Sequence, residues 1–243
     1  MTTKCLNCRE PIDRNYCSNC SQKATTHRFS IKHFLVHDLV HGIFHVDKGF
    51  LFTIKELFTR PGHSIREYIQ GKRVNHFNCF ATLILVMTLS YFLGKLVTAD
   101  ITAVVNNSSG LVRVLKEYQK IVIFLGIPFY ALASYLLFRK SGQNYTENLV
   151  LSIYMMCGWV TLSLLLVIAM IFTRNVEFLG IINDVLIAFI FIYVFVFYYQ
   201  YYSVFGFKKF SLILRVFFIS LLILTIRAQI NIGLNEIGLR YFH

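Results

Sequence analysis

Hydrophobic and polar positions divide the chain into three parts. Residues 1–23 are polar and rich in cysteine, residues 24–76 mix short apolar runs with charge, and residues 77–243 carry five long apolar runs. The runs cover 77–97, 119–138, 148–172, 178–202 and 210–228. Each is close to or above the roughly 20 residues that cross a hydrocarbon core as a helix. The predicted fold is therefore an all-α membrane protein with five transmembrane helices. The 98–118 connection is polar, with Asn106-Asn107-Ser108-Ser109-Gly110 as its loop, whereas 173–177 is tight enough to make the third and fourth helices a hairpin. Pro128 predicts a kink in the second helix.

The middle part reads as interfacial amphipathic helices. In 29–46, Ile31, Leu35, Leu39, Ile43 and Val46 share a broad face at helical spacing. Residues 49–58 make a second piece, too short and too charged to span. A collar, 60–78, follows. Pro61-Gly62 stops the preceding helix. Ser64, with Glu67 three residues on, reads as the cap of a new short helix, and Gly71 reads as its end. Arg60, Lys72 and Arg73 are placed to meet lipid headgroups.

Composition supports the membrane class. Apolar residues make up 56% and charged residues 15%, and the mean hydropathy is +0.58. The net charge of +12 would suggest nucleic acid in a soluble chain. Here it follows the positive-inside rule. Sixteen Lys and Arg fall on the side of the N-terminus and five on the other. This puts the N-terminus in the cytoplasm of a bacterial inner membrane and the C-terminus outside, next to anionic headgroups. The first residues, MTTKCLNCRE, lack a signal peptide's apolar core, so the first span is expected to direct insertion. Tyr198, Tyr199, Tyr201 and Tyr202 then form an aromatic belt at the inner interface.

The chemistry is concentrated at the front. Cys5, Cys8, Cys17 and Cys20 make CxxC-x8-CxxC. Each CxxC turn brings two thiolates to one ion, and two turns complete a tetrahedron that selects structural zinc. Such a closed site leaves no open position for catalysis. His33, His37, His41 and His45 recur every four residues with Asp38 beside them. They suit either a second metal site or a protonation-sensitive surface. Lys95, Asp184 and Arg227 are ionisable positions within or at the ends of spans, with Asp184–Arg227 the natural pair. Cys79 and Cys157 read as small apolar residues. The sequence contains no phosphate loop, nucleophile elbow, HExxH or paired-carboxylate set.

Several motifs together resemble one family. They are Cys5-Leu6-Asn7-Cys8, Tyr16-Cys17-Ser18-Asn19-Cys20-Ser21-Gln22, Arg28, the stretch from Thr53 to Arg60-Pro61-Gly62, and Tyr68-Ile69-Gln70-Gly71-Lys72-Arg73. The chain is similar over about residues 5–80 to bacterial polytopic membrane proteins known as domain of unknown function 3667. The resemblance implies an N-terminal zinc ribbon on a membrane domain, and the family has no established activity. The family usually has Gly where Ser21 stands, and Pro soon after the Gly-Lys-Arg block, where this chain has Asn78-Cys79. The second difference allows an unbroken helix into the first span. The expected organisation is a ribbon over 1–23, an interfacial region over 24–76 and a five-span domain over 77–243. The expected role is non-enzymatic: a membrane adaptor or assembly factor whose ribbon binds a cytoplasmic protein. A small permease or channel and an interfacial lipid-modifying enzyme are the alternatives.

Overall fold

The computed structural model describes residues 3–12, 14–31, 49–101, 110–173 and 175–241. Strands β1 (Thr3–Lys4) and β2 (Pro11–Ile12) pair antiparallel in the ribbon. Seven helices follow among the described residues: α1 (Gly49–Thr59), α2 (Pro61–Ile69), α3 (Cys79–Ile101), α4 (Gly110–Leu137), α5 (Tyr145–Phe172), α6 (Val176–Tyr202) and α7 (Lys209–Tyr241). A 3-10 turn, Arg139–Ser141, links α4 to α5.

All five predicted apolar runs are helical. Among the described residues, three helices are long and apolar enough to cross a bilayer: Tyr145–Phe172, Glu177–Tyr202 and Lys209–Gln229. Shorter apolar stretches, Cys79–Lys95 and Phe124–Leu137, lie within α3 and α4. The chain is therefore a helical membrane protein.

Helix α5 is the hub. It packs against α3, α4 and α6 and also receives α1 and α2. Every residue from Val150 to Val160 is buried, because a helix surrounded by other helices has no lipid-facing stripe. Its start is fixed by a capping box, with Asn144 Oδ1 accepting from the Glu147 amide and Glu147 Oε2 accepting from the Asn144 amide, both at 2.8 Å. Gly158 lets Tyr193 of α6 approach; a Cβ there would sit 1.9 Å from the tyrosine hydroxyl. At the turn into α6, Asn175 caps the new helix by accepting from the Phe178 amide. The α5–α6 hairpin is thus as predicted.

The inner aromatic belt is not a lipid-facing belt. Tyr198, Tyr201 and Tyr202 are 0–1% exposed. Tyr202 stacks on Phe138 at 3.7 Å and donates to Asn148 Oδ1 at 2.6 Å, and Tyr201 donates to Gln143. Tyr201 and Tyr202, with polar partners inside the bundle, have no need of the interface.

Candidate metal centre and its docking site

The ribbon consists of two equivalent turns. In the first, the Cys5 amide bonds to the Glu10 carbonyl at 2.8 Å and the Arg9 amide to the Cys5 carbonyl at 2.9 Å. In the second, Cys17 bonds to Gln22 and Ser21 to Cys17 at the same distances. The residue after each second cysteine is left-handed, with φ of 68° at Arg9 and 60° at Ser21. An L side chain is strained at that φ, so glycine would fit either position with less strain.

The turns bring all four sulfurs within 4.8 Å of one another, with Cys5–Cys20 and Cys8–Cys17 at 3.5 Å. Zinc–sulfur bonds of about 2.3 Å define a tetrahedron with edges of about 3.8 Å. A disulfide would need about 2.05 Å, and all four are free thiols. The Glu10 backbone amide brings Cys8 down to about 7, and burial pushes Cys20 up to about 11. Four thiols this close ionise together only around a cation. The donor set fits a metal, and the ribbon's own core is only Cys5, Ile12 and Cys17 with a few partly buried neighbours. A core this small does not fold on burial alone, and a metal held by the four sulfurs would supply the missing folding energy.

The ribbon is seated on the collar. Gln22 Nε2 donates to the Gly71 carbonyl at 2.8 Å, and Gln22 Oε1 accepts from the Arg73 amide at 3.3 Å. Leu6 lies against Gly71, where a Cβ would fall 2.7 Å from its Cδ1. Gly71 has φ of 112° and ends α2 in a Schellman motif: the Gly71 amide bonds to Tyr68 O and the Lys72 amide to Glu67 O. The predicted helix end is thus in place, and the same glycine is the floor of the ribbon's seat.

The chain leaving the ribbon is held as well. Arg28 grips Glu147 through Nε at 2.5 Å and Nη2 at 2.8 Å, and also donates to the Gly142 carbonyl. Asn144 Nδ2 donates to the Phe29 carbonyl at 2.9 Å. Arg28 therefore anchors the ribbon's exit to the capped start of α5. Glu147 is 3% exposed in its side chain, and a buried carboxylate of this kind needs its partner.

The collar's cations are engaged within the chain. Arg73 lies 3.8 Å over the Phe29 ring and donates to the His27 carbonyl. Arg60 pairs with Glu56 at 2.6 Å and Glu67 at 3.3 Å, and Lys72 with Glu67 at 3.5 Å. Helix α2 starts at Pro61, three residues earlier than the predicted Ser64 cap, because proline is preformed for a first helical position. Ser64 is instead fully buried and bonds His76 Nε2 at 2.8 Å. Burial lowers the His76 pKa below its ordinary value. Gly62 lies directly on α6: a Cβ there would be 2.2 Å from Phe197 O and 2.4 Å from Tyr201 N. The helix is not continuous into α3, since residues 70–78 form turns and Asn78 Oδ1 caps α3 through the Phe80 amide.

Other predicted positions are scattered. Lys95 lies 4.7 Å over the Tyr91 ring. Asp184 is exposed on α6 and forms no ion pair with Arg227. Arg227 sits instead over Trp159, at 4.4 Å. His33, His37, His41, His45 and Asp38 lie outside the described residues. Sequence reasoning quotes Leu6 and Gln22 only as members of the ribbon motif, without a role, and passes over Glu147. Gln22 closes the ribbon motif, and Asn144-x-x-Glu147 is a readable capping box.

Residues 47–91 match the family described as Protein of unknown function (DUF3667). The segment runs from α1 through the collar into the first half of α3; the ribbon lies outside it. Neither the curated proteins nor the solved structures contain a match.

Proposed function

We propose that this DUF3667 protein is a five-span inner-membrane adaptor whose cytoplasmic zinc ribbon presents a binding surface for a soluble protein partner. The observation that carries the reading is the one-sided seating of the ribbon. Gln22 and Leu6 face the collar, while Arg9, Arg14, Tyr16 and Asn19 are exposed. A metal knuckle fixed to a membrane bundle by one edge holds its other edge at a set height and angle above the bilayer. The five-span arrangement is supported by α3 and α4, which accompany the three long apolar helices in one bundle. The cytoplasmic position of the ribbon is supported by the excess of Lys and Arg on its side. Arg60 and Lys72, each nearly half exposed beyond its ion pairs, also reach anionic headgroups in this arrangement.

The test is crosslinking in native membranes of the wild type against a Cys17→Ser, Cys20→Ser variant of equal abundance. Crosslinks to a soluble protein that disappear in the variant support the adaptor. Identical crosslinks in both refute it, as does a specific solute flux in liposomes that persists in the variant.

A further inference from the structure

Arg227 takes no part in seating the ribbon. It lies on α7 eighteen residues past Lys209, roughly 27 Å along the axis at 1.5 Å per residue. Helix side chains tilt toward the N-terminus of their helix, and α7 begins at the ribbon end of the bundle. The guanidinium therefore leans back into the bundle, away from the far interface. There it meets Trp159 of α5, its Cζ 4.4 Å from the ring centroid. Trp159 is 3% exposed, and its indole N–H is buried without a hydrogen-bond partner. Tyr130 of α4, itself 2% exposed, lies within electrostatic range of the guanidinium.

None of the three brings a negative charge: the guanidinium fork and the indole N–H only donate, and the phenolic O–H donates as well as accepts. Among the described residues no carboxylate pairs with Arg227. Asp184, the acid within α6, is exposed and does not pair with it. An aromatic face returns less than the hydration that a guanidinium gives up on entering a bundle. Ionisable groups placed in spans without a counter-charge mark ligand positions. A guanidinium fork matches the oxygens of phosphate better than a point charge does.

We propose that Arg227, Trp159 and Tyr130 form an intramembrane oxyanion site between α4, α5 and α7 that takes a phosphate group. The group belongs either to a phospholipid or to free phosphate entering from the far face. Arg227 supplies the charge, Tyr130 a directional hydrogen bond, and the Trp159 ring the floor that holds the guanidinium in place.

Trp159 is the single tryptophan of the chain, so the emission of the intact protein reports on this site alone. The metal-loaded full-length protein is held in maltoside micelles, which contain no phosphate. It is titrated in one arm with inorganic phosphate against sodium chloride of equal ionic strength, and in the other with phosphatidylglycerol at fixed detergent. A saturable change in Trp159 emission is expected in one arm. Response to phosphatidylglycerol alone assigns a lipid, and response to inorganic phosphate assigns the free anion. Arg227→Gln abolishes the response, Arg227→Lys weakens binding about tenfold through loss of the fork, and Tyr130→Phe weakens it by a similar factor. Circular dichroism melting confirms that each variant is folded, and Tyr130→Phe keeps the test valid if the arginine variants fail to fold. No saturable change in either arm, or an equal change in folded Arg227→Gln or Tyr130→Phe, overturns the site.

Discussion

Replacing Gln22 with alanine should unseat the ribbon without dismantling it. The Gln22 side chain makes two contacts to the collar, a 2.8 Å bond to the Gly71 carbonyl and a 3.3 Å bond from the Arg73 amide. Gly71 is buried, so the truncation leaves an acceptor there with no water to replace the lost donor. Losing a neutral hydrogen bond costs about 1 kcal/mol, and a stranded buried group costs about 1–3 kcal/mol. Together the seating equilibrium should weaken by about 2–4 kcal/mol, or roughly 30- to 1000-fold at 1.4 kcal/mol per decade. The turn around Cys17 keeps its form, because Gln22 contributes its backbone carbonyl and not its side chain to it. Gln22→Glu should be at least as damaging, since a carboxylate oxygen would face the Gly71 carbonyl. Hydrogen exchange of the detergent-solubilised protein reads this directly. Amides in the 70–74 turn and in the 24–31 tail should lose protection in both variants, while those in the middle of α5 keep theirs. Unchanged exchange in the 70–74 turn of Gln22→Ala would refute the seating argument.

Three further perturbations follow from the same geometry. Gly62→Ala puts a Cβ 2.2 Å from the Phe197 carbonyl oxygen; backbone cannot yield there, and a loss of about 3 kcal/mol is expected, whereas Gly180→Ala, with open space around it, should melt within a degree or two of wild type. Ser21→Gly relieves a left-handed serine worth about 1–2 kcal/mol and gives back about 0.5–1 kcal/mol in chain entropy, so the ribbon should gain roughly half to one kcal/mol, measured as slower metal loss to a chelator. His76 is held below its ordinary pKa by burial, with Ser64, Tyr68, Phe52, Glu56, Glu67 and Arg60 around it. Its neutral form is favoured in the folded state, so stability is full above about pH 6.5 and declines as pH falls toward the lowered folded value; in His76→Gln melts between pH 8 and pH 5.5 that decline should shrink, and an unchanged decline would exclude His76 as its source.

Much of the architecture is legible in the sequence because it rests on local signals. Length and hydropathy locate all five apolar helices, cysteine spacing locates the metal turns, and Gly71 marks a helix end that a Schellman motif confirms. What is not legible depends on which way a side chain faces. An all-apolar helix gives no periodic cue separating neighbours from lipid, so Tyr198, Tyr201 and Tyr202 read as a belt when they are core. Depth and opposite charge pair Arg227 with Asp184 in the sequence, yet Arg227 lies over Trp159 and Asp184 is exposed. Ser64 reads as a cap because it precedes Glu67 at the right spacing, but Pro61 starts the helix. The seat of the ribbon joins residues 49 positions apart, beyond the reach of any local pattern.

The collar motif therefore works as a joint whose two sides are coupled. Arg60-Pro61-Gly62 fixes one end of α2 to α6, and Gly71-Lys72-Arg73 fixes the other to the ribbon. On the reading that a metal shapes the ribbon, the same metal presents Gln22 and Leu6 together, because the small core of Cys5, Ile12 and Cys17 cannot hold that shape unaided. If the metal tightens seating by some factor, seating must tighten metal binding by the same factor. Gln22→Ala, which touches no ligand sulfur, should therefore lower metal affinity by as much as the seated state contributes, at most the roughly 30- to 1000-fold loss in seating. Competition with a chromophoric chelator measures it: the curve for Gln22→Ala should shift to lower chelator concentration. A second variant at the far side of the joint, Arg28→Gln, should shift it in the same direction by releasing Glu147. Superimposable curves for wild type and both variants would show that ribbon and bundle bind their ligands independently, and the joint would then be a tether without coupling.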